Sequence, residues 1–164
     1  MNAGPRVGEV GFYHLTRSSL DDALPPLLEK AVGQGMRLVM VARAKDLLDH
    51  LDTWLWTYRP DSFLPHGTAA TGFAERQPIY LGERVANPNR ATVLVVVDGL
   101  LPEPDAPFAR VVDLFDGNDE AAVAAARDRW RSWRERGCKL VYWQQSPEGG
   151  WTKAREEGGD TLSE

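Results

Sequence analysis

The strongest constraint in this sequence is an alternation. Short apolar runs trade places with amphipathic helical segments along most of the chain. Residues 38–42 (Leu-Val-Met-Val-Ala) and 93–97 (Val-Leu-Val-Val-Val) are unbroken apolar runs, the pattern of strands covered on both faces. Residues 10–14 alternate instead, with Val10 and Phe12 opposite Tyr13, and predict a first strand. Shorter runs at 79–81, 110–115 and 139–144 predict further strands. Between them, apolar residues at 20, 24, 27, 28, 31 and 32 follow helical spacing. Ser18 and Ser19 precede that segment and Asp21 and Asp22 open it, a capping hydroxyl with acids at the helix's positive end. Pro25 and Pro26 are read as first-turn residues, where proline is tolerated. Leu47, Leu48, Leu51, Trp54 and Leu55 form a second helical stripe over 45–57, and a longer helix is predicted over 119–136, closed by Gly137. Strands alternating with helices specify an α/β fold with a mostly parallel central sheet and helices on both faces.

The chain of 164 residues fits one domain. The boundaries predicted are a flexible leader over 1–8, one α/β domain over 9–152 and a disordered acidic tail over 153–164. Residues 58–78 read mostly as loop. No apolar run comes near the roughly 20 residues that a membrane-spanning helix needs. Met1 to Glu9 is polar and offers no secretory h-region. Cys138 is the single cysteine, so no intrachain disulfide can form, which fits a reducing compartment. The expected location is the cytoplasm.

The first strand-to-helix turn, Leu15-Thr16-Arg17-Ser18-Ser19, contains no glycine, and neither G-x-G-x-x-G nor G-x-x-x-x-G-K-[ST] occurs. A phosphate cannot approach such a turn closely, so the fold is expected without a nucleotide site. His14, His50 and His66 do not pair at zinc-ligand spacing with one another or with Cys138. No metal and no cofactor are expected. No serine sits in a G-x-S-x-G elbow. Cys138 follows a helix-ending glycine and reads as a buried thiol, and Asp46, Asp49 and Asp52 read as a solvated helix face. No catalytic residue is assigned.

The formal charge is −5, which argues against a surface that grips nucleic acid throughout. One segment runs against that balance. Between 127 and 139 stand six cations (Arg127, Arg129, Arg131, Arg134, Arg136, Lys139) and two acids, a local excess of four, with Trp130 and Trp133 interleaved. Steps of three and four residues put 127, 130, 131 and 134 on one side of a helix. Guanidinium forks match carboxylates bidentately, and an indole beside them supplies apolar area. That chemistry suits an acidic peptide with an aromatic or aliphatic end, or a phosphate backbone with stacked bases. The competing reading is a core stripe of Ala122, Ala126, Trp130 and Trp133 with arginines as a solvated rim. A second segment, residues 55–66, crowds Trp56, Tyr58, Phe63 and Leu64 into a proline-stiffened stretch. It is either a binding edge or a loop folded back over the core.

These segments resemble the chi subunit family of bacterial DNA polymerase III. The resemblance rests on Phe12-Tyr13-His14-Leu15, Leu55-Trp56, Ser62-Phe63-Leu64-Pro65-His66, residues 110–115 (Arg-Val-Val-Asp-Leu-Phe) and residues 126–131 (Ala-Arg-Asp-Arg-Trp-Arg), in that order. It implies a Rossmann-like fold without a nucleotide site and a non-catalytic subunit of the clamp-loader assembly. It also implies two partners. One is the acidic C-terminal tail of single-stranded-DNA-binding protein, which ends in an aromatic residue with a free carboxylate. The other is the psi subunit. By the resemblance the tail site falls on Trp56, Arg127, Trp130 and Arg134, with Arg131 as a further cation, and the psi-facing loop on Phe63 and Leu64. The sequence departs from the family at Val123, where the family carries a lysine. DNA is expected to be contacted only indirectly. Two other classes stay open: a direct single-stranded nucleic-acid-binding module on the same arginines and tryptophans, and a small enzyme using a carboxylate or Cys138.

Overall fold

The computed structural model describes residues 7–58, 64–148 and 150–158. In chain order its elements are β1 (Glu9–Leu15), α1 (Leu20–Gly33), β2 (Leu38–Val41), α2 (Lys45–Thr57), β3 (Gly67–Thr68), β4 (Ile79–Gly82), β5 (Val93–Val96), β6 (Arg110–Asp116), α3 (Glu120–Glu135), β7 (Lys139–Gln145) and β8 (Trp151–Glu157). One sheet holds all eight strands in the order β3-β4-β2-β5-β6-β1-β7-β8. Every pairing is parallel except β7 with β8. The alternating α/β sequence pattern therefore resolves into a mostly parallel sheet, as expected.

Strand side chains point alternately to the two faces, and the core divides accordingly. Leu38 and Met40 of β2, Val93 and Val95 of β5 and Leu114 of β6 face α1 and α2, which contribute Leu24, Leu28, Leu48, Leu51 and Leu55. Val39 and Val41, Leu94 and Val96, and Val10 and Phe12 of β1 face the other way, toward Ala126 and Trp133 of α3. Each fully buried Leu or Ile here contributes about 1.5–3 kcal/mol relative to an exposed one. Two helices thus cover one face and one covers the other. The Trp133 indole is fully buried.

Capping explains the helix boundaries. The Ser19 hydroxyl accepts the Asp22 N–H at 3.2 Å, and the Asp119 carboxylate accepts those of Ala121 and Ala122. Gly137, with φ of 87°, ends the last helix. Pro25 and Pro26 depart from expectation: they lie inside α1 rather than in its first turn. Pro25 cannot donate to the Asp21 carbonyl four residues back. The Trp54 indole N–H of α2 donates to that carbonyl instead, at 2.6 Å, so the defect in one helix docks the other.

Three boundary expectations need correction. Residues 151–157 form an antiparallel edge strand, not the start of a disordered tail at 153; residues 159–164 lie outside the described residues. Val7 is buried and the Gly8 N–H donates to the Ala109 carbonyl at 2.9 Å, so the ordered domain starts before residue 9; residues 1–6 lie outside the described residues. Within the segment read as loop, Gly67 and Thr68 pair with β4. No described helix is long and apolar enough to cross a membrane.

Candidate functional site

β1, β6 and β7 lie side by side beneath α3, and period-2 alternation sends Phe12 and His14, Phe115, and Tyr142 up toward the helix. They floor a groove of about 470 Å³, walled by Val123, Ala126 and Trp130 and rimmed by Arg127, Arg131, Arg134 and Arg155. Its aromatic packing is dense. The Trp130 ring lies 5.4 Å from Phe12 and 6.1 Å from Tyr142. His14 and Tyr142 stack at 5.6 Å, and His14 Nδ1 meets the Tyr142 hydroxyl. Burial raises the Tyr142 phenol above its ordinary value, while a hydrogen bond with Gln144 and the Arg127 charge pull it down. Gly117 permits this floor: a Cβ there would stand 1.8 Å from His14 Cδ2.

Four of the predicted site residues, Arg127, Trp130, Arg131 and Arg134, therefore come together. The charge count of the segment does not survive intact. Arg129 is only 6% exposed and bonds Asp113 of β6 in a bidentate pair at 2.7 and 3.0 Å. It lies three residues after Ala126 and four before Trp133, on the stripe that faces the sheet. Burial raises the Asp113 carboxyl, opposed by the hydrogen bonds and charge of Arg129. Arg136 lies over the Trp133 ring at 4.6 Å and donates to the Pro102 carbonyl. Lys139 pairs with Glu156 at 3.0 Å. Arg127 makes no ion pair among the described residues. Arg131 pairs with Asp128 on its own helix.

Arg155 is the cation that sequence reasoning missed. It comes from β8, together with Glu157. Glu157 accepts the Trp130 indole N–H at 3.3 Å, lies 3.6 Å from Arg134 and pairs with Arg155. Burial pushes the Glu157 carboxyl up, but hydrogen bonds from Arg155 and Trp130 and the charges of Arg155 and Arg134 outweigh it and lower the value. At neutral pH this is a carboxylate already seated among the arginines.

Trp56 does not belong to this groove. It is half exposed at the end of α2, on the opposite face of the sheet from α3. Leu55 points inward, so its neighbour turns about 100° away, and the Trp56 ring meets His66 at 4.4 Å. The tail site predicted from Trp56, Arg127, Trp130 and Arg134 thus splits in two. Leu64 needs the same correction. It is 3% exposed and packs in the core with Leu51 and Leu55, so this end of the loop folds back rather than presenting an edge. Phe63 lies outside the described residues. Cys138 is buried, with its thiol 3.2 Å from the Val7 carbonyl.

A second groove lies where Rossmann-like sheets take phosphates. The chain leaves β1 by α1 on one face and leaves β6 by α3 on the other, so the adjoining ends of these strands form a switch point. Leu15 to Leu20, Asp116 and Asn118 line it. The backbone N–H groups of Thr16, Arg17 and Ser18 all donate to one acceptor, Gln145 Oε1, at 3.0, 2.7 and 3.1 Å. Gln145 Nε2 donates to the Ser18 hydroxyl at 2.9 Å. The chain's own carboxamide thus takes up the N–H groups that this turn could offer an anion.

Fold and grooves together define a class: a Rossmann-like sheet whose switch-point turn has its N–H groups taken by the chain's own carboxamide and whose α3 groove is cationic and aromatic. Residues 7–141 match the family model for the DNA polymerase III chi subunit, HolC, and the chain belongs to that family. It is 31% identical over 116 residues to the DNA polymerase III subunit chi of Pseudomonas aeruginosa, covering 70% of this chain and 78% of that protein. It is 24% identical over 135 residues to the subunit chi of Haemophilus influenzae, covering 79% and 92%. A probable subunit chi of Rickettsia prowazekii is 30% identical over 89 residues, 54% of each chain, so the match spans about half that protein's length.

Proposed function

We propose that this chain is a non-catalytic subunit that links the clamp loader of DNA polymerase III to single-stranded-DNA-binding protein, by holding that protein's acidic C-terminal tail in the α3 groove. The observation that carries the reading is the union of four guanidinium groups with an aromatic floor in one groove. Acidic residues along the tail are drawn to Arg127, Arg131 and Arg134. The terminal carboxylate docks on an arginine fork, and the terminal aromatic ring packs among Phe12, Trp130 and Tyr142. Exposed charge pairs contribute only about 0–1 kcal/mol each, so the ring supplies the anchor and the charges supply steering and register.

The second contact of such a linker falls on the other face of the sheet, at the end of α2, where Trp56 stands exposed beside His66. A psi subunit, or another clamp-loader subunit, is the partner we assign there. Direct binding of single-stranded DNA is disfavoured by the net charge of −5, by the burial of Arg129 and by the engagement of Arg136 with the Pro102 carbonyl and the Trp133 ring.

The test is a fluorescence-anisotropy titration of a labelled acidic peptide with a C-terminal aromatic residue. Micromolar affinity, about −8 kcal/mol, that weakens as salt rises supports the reading. No binding at low salt, or equal affinity for bare single-stranded DNA, contradicts it.

A further inference from the structure

The family match ends at residue 141, and β8 lies beyond it. Its sequence, Trp-Thr-Lys-Ala-Arg-Glu-Glu, has no clean two-residue period. The pairing with β7 shows why. Gln145 faces Trp151, Trp143 faces Lys153, and then Tyr142 faces Arg155, with a bulge that leaves Ala154 unmatched. A bulge shifts the phase of a strand by one residue. Before it, Trp151 packs on Tyr13 at 5.1 Å and Lys153 lies over Trp143 at 6.0 Å, on the α1 face. After it, Arg155 and Glu157 turn to the α3 face. Arg155 stands 5.8 Å from the Trp130 ring centroid and rims the groove.

We infer that β8 is the selectivity element of the α3 groove. Arg155 adds a guanidinium opposite those of the helix, and Glu157 is an internal counter-ion that an incoming carboxylate displaces. This rests on the acidic-tail reading above and names the residues that set its selectivity. The geometry carries it. Glu157 reaches both Arg134 and Arg155 and takes the Trp130 N–H, three groups that all border the groove. Its own partners are partly exposed: the Arg134 and Arg155 side chains keep more than half of their surface in water. Ion pairs of that kind are weak and exchangeable. A ligand without a negative charge cannot replace Glu157 at these arginines, whereas a terminal carboxylate can. The groove therefore rejects neutral chain ends by leaving its own carboxylate in place.

The experiment uses the full chain and two peptides of identical acidic sequence ending in an aromatic residue, one with a free C-terminal carboxylate and one amidated. Affinities are measured for wild type, Glu157→Gln and Arg155→Gln, with thermal unfolding as a check that each variant is folded. Glutamine at 157 keeps an acceptor for the Trp130 N–H while removing the charge. The expected result is about threefold to tenfold tighter binding of the carboxylate peptide by Glu157→Gln, and a comparable loss in Arg155→Gln. The preference for carboxylate over amide should narrow in Arg155→Gln. Unchanged affinities in both variants, with wild type still binding, overturn the inference and leave the acidic-tail reading standing. Weaker binding by folded Glu157→Gln also overturns it, because Glu157 would then be supporting the groove rather than competing for it. No binding of either peptide to wild type overturns both.

Discussion

Two polar sites on this sheet hold their internal partners in opposite ways. At the switch point, three backbone N–H groups converge on Gln145, a neutral and buried side chain at the end of β7. At α3, two arginines and an indole converge on Glu157, a carboxylate on an edge strand. Both are sites built for an oxygen acceptor. The first has been turned into a joint that ties β7 to the turn after β1. The second remains exchangeable, since its ion pairs face water and compete with any other anion. A helix end or a cationic patch becomes a site only if its internal partner can leave.

The largest effect should come from the pair that holds the groove's wall in place. Asp113→Ala leaves Arg129 as an uncompensated buried charge, and we expect a loss of about 3–5 kcal/mol in urea unfolding. A loss below about 1 kcal/mol would mean that α3 is held by apolar packing alone. Gln145→Ala orphans three N–H groups, and we expect a loss of about 1–3 kcal/mol, with tail affinity unchanged because the joint and the open groove are separate. A parallel fall in tail affinity would merge the two regions and break the comparison. Trp130→Ala and Arg127→Ala should each weaken tail binding by about 1–3 kcal/mol with little change in stability for Arg127→Ala. Trp56→Ala should leave tail binding unchanged while weakening any clamp-loader contact. A loss of tail affinity in that variant would restore the single composite site.

The smallest effect is a pH dependence of β8. Glu156 is lowered by hydrogen bonds and charges from Lys139 and Lys153, and Glu157, despite its burial, by Arg155, Trp130 and Arg134. A carboxyl whose folded value is depressed stabilises the fold above its ordinary range and loses that contribution as pH falls through the folded value. Docking of β8 should therefore loosen below pH 4.5, the ordinary glutamate value. Hydrogen exchange at Arg155 and Glu157 checks this. Protection that stays constant through that range would assign β8 to the backbone ladder alone.

Most of the fold was legible because its strands are apolar runs and its helices keep a 3.6-residue period. Two strands were not. β3 has only two residues and exists by pairing with β4. β8 is charged, and its bulge at Ala154 breaks the alternation that marks a strand. In the site, Arg127, Trp130, Arg131 and Arg134 were legible together because one helix carries them. The inward course of Arg129 was also present in its spacing from Ala126 and Trp133, but a count of charges hides direction. Trp56 joined the tail site by resemblance alone; nothing in its own sequence says which face of the sheet its helix covers, and that helix lies on the face away from α3. Gln145 could not be read at all, since its three partners lie more than 120 residues away in sequence.

The most direct test is amide and indole chemical-shift mapping of the isotope-labelled chain during titration with the acidic, aromatic-ended peptide. Shifts are expected to concentrate at Arg127, Trp130, Arg134, Tyr142 and Arg155, with the Trp56 indole and the turn at Thr16 to Ser18 unmoved. Shifts centred on Trp56 or on that turn, with α3 silent, would contradict that expectation.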